Sequence, residues 1–337
     1  MQSEVRKKLL DAFTAANEEY VSGQYLADLI GCSRTAVWKH VEELRKHGFE
    51  LEAIKRKGYR IITIPDHVSA DEIRIGLKTK FLGQNIHYKE TVDSTQKIAQ
   101  RLAYEDVPEG SVVIAEEQTL GRGRMDRKWH SPKFTGVWMS MIFRPKIPIT
   151  KAPQLTLITA VAVVQAIEEL TGLLPEIKWP NDVLIRGKKV TGILTELQAE
   201  SDRISSIIIG IGMNVNQTKG DFPEELQSIA TSLAIETGEK ISRPALIRAV
   251  LTNLERLYLL YLDQGFSPLK VLWESYAISI GENIVARTFT GSIHGRALGI
   301  TNEGVLMIED SSGQTHFVYS ADIELDGQQE FFFIVNE

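Results

Sequence analysis

Apolar positions fall into two rhythms along the chain. Near the N-terminus they repeat at helical spacing. Leu26, Leu29 and Ile30 lie at i, i+3, i+4, and Val37, Val41 and Leu44 at i, i+4, i+7. Each set makes one apolar stripe on a short helix. Between them, Gly31-Cys32-Ser33 supplies a tight turn and a serine N-cap, and Gly48 fits the end of the second helix. Two short helices around a glycine turn read as helix-turn-helix. FELEAIKRKGYRI then reads as a β-hairpin with Lys55, Arg56 and Lys57 near its tip. Pro65-Asp66 ends this unit. Ser69-Ala70-Asp71-Glu72 has capping-box spacing and opens a new helix.

Beyond that point the rhythm shortens. SVVIAEE, GVWMSMIF, EIKW, VLI, VTGILTEL and ISSIIIGIGMNV read as strands rich in Val and Ile. APQLTLITAVAVVQAIEEL is a long helix with few charges, hence a buried one. Another helix opens at Ser242-Arg243-Pro244 and runs to about Leu262. Strands interspersed with helices predict an α/β or α+β unit around one central sheet. From Gly281 the runs GENIVARTF, GSIHGRALGI, GVLMIED and QTHFVYS, separated by glycine turns, predict a small β-barrel ending near Leu325. The terminal FFFIVNE reads either as an added edge strand or as an interface. The division is therefore residues 1–65, 66–272 and 273–337.

Composition narrows the function. No stretch reaches the about 18 uninterrupted apolar residues of a membrane span, and MQSEVRKKLLDAF is no secretory signal. A single cysteine, Cys32, excludes a disulfide scaffold and a cysteine-built zinc site. It fits a reducing cytoplasm, where it reads as a small buried packing residue. Net charge is -6, yet residues 1–64 carry 11 Lys+Arg against 9 Asp+Glu. A mildly basic head on an acidic body points to the head as the part that meets a polyanion. Its candidates for base edges are Ser33, Arg34, Thr35, Trp38 and Lys39 at the start of the second helix, with Arg45 further along the same side. Lys55, Arg56 and Lys57 suit phosphates. For the helix pair alone, a small bundle with a solvated charged face is the plain alternative.

Chemistry concentrates in the body. Gly121 to Trp129, GRGRMDRKW, combines glycines that admit an anion to the backbone with the forked charges of Arg122, Arg124 and Arg127. A basic surface turn would look the same. KWPND spans Lys178 to Asp182, and Lys189 enters an apolar strand at KKVTG. A lysine beside buried surface calls for an anionic partner, unless it merely protects a sheet edge. GIGMNVN runs an apolar strand into a polar loop at Asn214. Asp93-Ser94-Thr95-Gln96 reads as a helix cap that can also face a ligand. No histidine pair has metal-ligand spacing.

In this order, DSTQ, EEQTLGRGRMDRKW, KWPNDVLI, KKVTGIL and GIGMNVN resemble the biotin–protein ligase family. The preceding winged helix-turn-helix resembles the family's bifunctional subgroup, which both ligates biotin and represses the biotin operon. The resemblance implies a class II synthetase-like mixed-sheet ligase domain and a small SH3-like barrel after the winged head. It implies a biotin ureido site at Ser94, Thr95 and Gln96, with Gln118 also on biotin. Arg122, Gly123 and Arg124 match the loop over biotin and the adenylate phosphate, and Lys189 the lysine on the biotin carboxylate and phosphate. Trp129 falls near the nucleotide, and Asn214 at the loop beyond it. Asp182 matches the acid associated with ATP and magnesium. Lys189, Arg124 and Asp182 are thus the catalytic candidates. One departure stands out, because Asp126 occupies a position where the family commonly has glycine.

The resemblance further implies formation of biotinyl-5′-AMP from biotin and Mg-ATP, then transfer to a lysine of biotin carrier domain proteins. It implies an adenylate-dependent homodimer on operator DNA, in the cytoplasm and with no membrane partner. A ligand-sensing repressor without ligase activity, and a monofunctional ligase whose head does not bind DNA, are the alternatives.

Overall fold

The computed structural model describes residues 2–16, 19–46, 49–63, 66, 68–200 and 203–325. His47, Gly48, Pro65 and the FFFIVNE segment, on which some of the expectations above fall, lie outside the described residues. The chain divides into two compact units, residues 1–78 with 242–248, and residues 79–241 with 249–337.

The first unit opens with a helix that the sequence reading passed over, α1 (Gln2–Ala15). It is followed by α2 (Gly23–Ile30), α3 (Arg34–Lys46), β1 (Glu50–Ile54), β2 (Gly58–Thr63) and α4 (Ala70–Arg74). Ser22 caps α2 by accepting from the Tyr25 amide, and Gly31 ends it at φ 68°. Ser33 caps α3 by accepting from the Ala36 amide at 3.2 Å. Leu9, Leu10 and Phe13 of α1 close over Leu26, Val37, Val41, Leu44 and Phe49. Each such fully buried aliphatic side chain contributes about 1.5–3 kcal/mol. Two expectations change here. Leu29 is exposed rather than part of the apolar stripe, because α1 covers the Leu26 side of α2. Cys32 is only partly buried against this core.

The wing forms as expected. β1 and β2 pair antiparallel, and Val21 adds a bridge to Tyr59. The approach is so close that a Cβ on Gly58, at φ +119°, would lie 2.0 Å from the Val21 carbonyl oxygen. Lys55, Arg56 and Lys57 are exposed at the tip. Ser33, Arg34, Thr35, Trp38 and Lys39 are all exposed along the first half of α3. Arg45, by contrast, turns inward to Glu42 and to the Leu51 carbonyl.

The second unit is built on a seven-stranded mixed sheet. In chain order come β3 (Ile86–Val92), α5 (Thr95–Tyr104), β4 (Val112–Gln118), β5 (Gly136–Phe143), α6 (Ala152–Thr171), β6 (Glu176–Lys178), β7 (Asp182–Ile185), β8 (Lys188–Glu200) and β9 (Arg203–Asn214). The strand order is β3-β4-β5-β9-β8-β7-β6. Only β3 and β4 are parallel, since α5 carries the chain back between them. β5, β9 and β8 are a Val/Ile-rich centre, with β5 buried along its whole length. α6 packs on β6, β7 and β8. By length and composition residues 149–171 would also span a membrane, but two thirds of the most apolar stretch is buried.

Next come α7 (Leu233–Thr237), α8 (Arg243–Gln264) and α9 (Ser267–Tyr276). β10 (Asn283–Thr288), β11 (Gly291–Ile300), β12 (Leu306–Glu309), β13 (Thr315–Val318) and β14 (Asp322–Leu325) form the expected small all-β part, an antiparallel sheet ordered β13-β12-β11-β10-β14. A register shift between Ala297 and Gly299, with Gly299 at φ +141°, bends β11.

Candidate active site

A cleft with about 1210 Å³ of atom-free space, counting the part open to solvent, lies against the second unit's sheet. The eleven residues that the family resemblance assigns to the site all line it, namely Ser94, Thr95, Gln96, Gln118, Arg122, Gly123, Arg124, Trp129, Asp182, Lys189 and Asn214, and Arg127 lines it as well, whereas Asp93 and Lys178 do not.

The strand ends β3 and β4 and the first turn of α5 build one wall. Ser94 precedes α5 yet makes no side-chain capping bond, so its hydroxyl is left for the cleft. Thr95 donates from its amide (2.9 Å) and its hydroxyl (3.1 Å) to Gln118 Oε1. Gln118 in turn donates to Ser131 Oγ at 3.0 Å. Gln96 donates to the Ile208 carbonyl at 3.1 Å and accepts from Ser140 Oγ at 2.9 Å. Both ends of the Gln96 amide therefore serve the wall itself.

The glycine-arginine segment is a hairpin. Arg122 bridges Lys128, and the Gly123 amide donates to the Arg127 carbonyl at 2.7 Å. Its turn holds Met125 at φ 55° and Asp126 at φ 56°. This explains the glycine common at the second position. Aspartate is among the residues that best tolerate the left-handed region, so the turn survives. Asp126 is exposed, while the arginines turn inward. Arg124 donates to Asn181 Oδ1 (3.1 Å) and Ser320 Oγ (2.7 Å). Burial lowers its pKa, against the opposing pull of Asp182 and Asp322. Arg127 forks onto Asp322. Arg122 faces Glu196 at 3.5 Å, and its Nε is buried without a protein partner.

The floor is β7, β8 and β9. Lys189 Nζ lies 2.7 Å from Asp182 Oδ1, an ion pair rather than an aligned hydrogen bond, and 5.4 Å from the Trp129 ring centre. The anionic partner expected of Lys189 is thus present. Lys189 is paired on both sides, with Leu184 of β7 and with Ala230, and so does not stand at a sheet edge. Trp129 lies flat on two glycines. A Cβ on Gly212 would come within 2.4 Å of the indole Nε1, and one on Gly192 within 2.8 Å of the ring. That Nε1 is also buried without a protein partner. Lys178, beside Asp182 on the neighbouring strand, has its pKa lowered by burial, with Asp182 opposing. Across the cleft, residues 229–231 strap onto the start of β8, through Lys189 N to Ile229 O (2.8 Å) and Thr231 N to Lys189 O (3.0 Å). Asn214 accepts from Gln217 at 3.2 Å where that connection begins.

Sequence reading missed Asn181, although it stands inside KWPND. It also missed Glu196, Ser320 and Asp322, for which only the folded chain gives a signal. Among the described residues no three His, Cys, Asp or Glu side chains gather as a metal site. Magnesium needs few protein ligands when it arrives on nucleotide phosphates. The donor that fits that role is Asp182, whose Oδ1 is buried without a hydrogen-bond partner, whereas both oxygens of Asp322 are taken by Arg127.

The cleft and the winged head together define a ligase catalytic unit joined to a DNA-binding module. Residues 88–214 match the Biotin/lipoate A/B protein ligase family, residues 5–60 an HTH domain, and residues 279–326 the Biotin protein ligase C terminal domain. The chain belongs to the biotin–protein ligase family, in its bifunctional ligase/repressor group. It is 57% identical over 96% of its length to the whole of the Bifunctional ligase/repressor BirA of Bacillus subtilis. It is 28% identical to the Escherichia coli protein of the same name over 87% of this chain and 89% of that one. Among solved structures, a biotin protein ligase from Aquifex aeolicus in complex with biotin and ATP superposes with a TM-score of 0.62, at 32% identity. That likeness covers 72% of this chain and 98% of that one.

Proposed function

We propose that the protein joins biotin to carrier proteins at the expense of ATP and represses the biotin genes when its product is not consumed. The observation that carries this reading is the convergence of Arg122, Arg124 and Lys189 on one cleft whose floor holds Trp129 and Asp182.

A carboxylate is a poor acyl donor because hydroxide leaves badly. The biotin carboxylate attacks the α-phosphate of ATP, the bond to pyrophosphate breaks, and biotinyl-5′-AMP forms. Two anions must meet, so the site needs fixed positive charge. Lys189 supplies it at the reacting carboxylate and phosphate. It exchanges Asp182 for them as they arrive. Arg122 and Arg124 hold the adenylate phosphate, and Arg122 Nε gains the acceptor it lacks in the protein. Ser94, Thr95, Gln96 and Gln118 form the wall for the biotin ring system, with Ser94 contributing the uncommitted hydroxyl. Trp129 and Asn214 border the nucleotide. Asp182 would hold a magnesium ion that arrives on ATP, and that ion would screen the phosphate charges.

The carrier lysine, as the free amine, then attacks the mixed anhydride carbonyl and AMP leaves. No enzyme-bound acyl intermediate is required. The Gly-Arg hairpin shields the adenylate from water, and residues after Asn214, with Gly220 and Pro223, serve as a second lid.

Three domains carry these tasks: residues 1–65 the DNA head, 66–272 the catalytic domain and 273–337 the C-terminal domain. In the head, Ser33, Arg34, Thr35, Trp38 and Lys39 face base edges, and Lys55, Arg56 and Lys57 face phosphates. Adenylate-ordered loops favour a homodimer whose two heads span a two-fold operator. The cytoplasm is the compartment this reading requires.

Pyrophosphate release with ATP, biotin and a carrier domain tests the ligase, and an operator gel shift on the same preparation tests the repressor. Sedimentation with and without adenylate tests the coupling, and dimerisation that ignores the adenylate would refute it.

A further inference from the structure

One acid beside the cleft has no part in the chemistry above. Glu196 follows Gly192 and Leu194 at every second position of β8, the spacing that puts residues on one face of a strand. Gly192 and Leu194 line the cleft, and Glu196 stands just beyond its lining. Its two carboxylate oxygens are committed in different directions. Oε1 faces Arg122 Nη2 at 3.5 Å. Oε2 accepts from Gln100 Nε2 at 2.8 Å.

Gln100 lies one helical turn beyond Gln96 on α5, and residues at that spacing share a helix face. Gln96 reaches the same part of the sheet, donating to the Ile208 carbonyl at 3.1 Å and to the Leu194 carbonyl at 3.4 Å. Gln100 is held in its turn. Its carbonyl accepts from Gln198 Nε2 at 3.1 Å, and Gln198 accepts from Ser206 Oγ at 2.6 Å. The Glu196 carboxylate is therefore fixed by the helix whose first turn carries Thr95 and Gln96. It joins that helix to the arginine of the Gly-Arg hairpin.

Arg122 has five N–H donors in a rigid fork. Glu196 engages the fork through Nη2, while Nε is buried with no protein partner and the residue lines the cleft. An unheld arginine spreads over many rotamers, and a ligand that has to order it loses affinity. Both side chains of the pair are about a third exposed, so the contact adds little to the stability of the fold. Asp182 lines the cleft and gives way when anions reach Lys189, whereas Glu196 is outside the lining and keeps its arginine.

We propose that Glu196 is the positioning residue for Arg122: it holds the guanidinium by Nη2 and leaves the remaining donors for the adenylate phosphate. This deepens the ligase reading above and rests on it.

The test uses the full chain and chemically prepared biotinyl-5′-AMP, so that binding is read without the reaction that makes the adenylate. Dissociation should be about fivefold faster from E196Q and from E196A than from wild type. E196Q keeps an oxygen for Gln100 and turns an amide NH2 toward Arg122, so a role confined to holding α5 leaves it at the wild-type rate. In an R122A background E196Q should change the rate no further, because the group it acts through is gone. A wild-type rate in E196Q overturns the proposal. So does an equal acceleration by E196Q in the R122A background, which would show that Glu196 acts on the fold and not through the arginine. Wild-type protein that holds no biotinyl-5′-AMP at all would instead overturn the ligase reading itself.

Discussion

Arg127 and Asp322 are joined by a two-pronged ion pair, with Nη1 and Nη2 each donating to one carboxylate oxygen, across 195 residues of chain. The Gly-Arg hairpin is thereby fastened to the start of β14, and Ser320 adds a second tie through Arg124. Burial alone would raise the Asp322 pKa. The Arg127 hydrogen bond and the charges of Arg127, Arg124 and Lys178 outweigh it and hold the carboxyl below its ordinary value. A depressed acid stabilises above its unfolded pKa of about 3.9 and loses that contribution as pH falls through the lower folded value. The tie is therefore intact across neutral and mildly acidic pH.

Asp322→Asn should loosen the hairpin. Both partners are about a third exposed, so after screening the pair contributes no more than about 1 kcal/mol. Trypsin cleavage between Arg122 and Lys128 should quicken by about fivefold. Unchanged cleavage would show that the hairpin holds its form without the C-terminal sheet.

Lys189→Ala should lower adenylation more than tenfold. Losing one charge contact of about 1.4 kcal/mol in the transition state already gives that factor. Pyrophosphate release is the readout. Normal release by the variant would remove Lys189 from the reaction.

Gly212→Ala places a methyl group 2.4 Å from Trp129 Nε1. The indole must move off the sheet, because backbone lies on the other side. The Michaelis constant for ATP should rise by about tenfold, with the circular dichroism of the fold preserved. An unchanged constant would place the nucleotide away from Trp129.

Deleting residues 1–65 should abolish the operator gel shift and leave pyrophosphate release in place. The cut spares Asp66, whose carboxylate accepts from the Arg243 backbone amide at 2.9 Å and from its buried side chain. Within the full chain, Arg56→Ala should weaken all operators alike and lower the salt slope by about one.

Much of this was readable before folding. Strand rhythm gave the central sheet, and the Leu26 and Val37 stripes gave the two helices of the head. Lys189 advertised its acid partner by standing in an apolar strand. What stayed hidden depends on tertiary covering or on distant pairing. α1 carries Leu9, Leu10 and Phe13 among charges, and only its docking on α2 and α3 explains why Leu29 is left outside. Asp322 and Ser320 sit in an unremarkable YSAD stretch, and nothing local says that they face arginines two hundred residues earlier. Asp126 stood out only as a departure from the family's glycine. The fold shows why it is accepted, since its backbone takes a left-handed φ that aspartate tolerates and its side chain is exposed.

The most direct measurement is exchange of labelled pyrophosphate into ATP by the purified chain, with magnesium and no carrier protein. Exchange that appears only when biotin is added, and that largely vanishes in K189A, is the expected result. Exchange that is absent with biotin, or that proceeds equally well without it, would contradict the account.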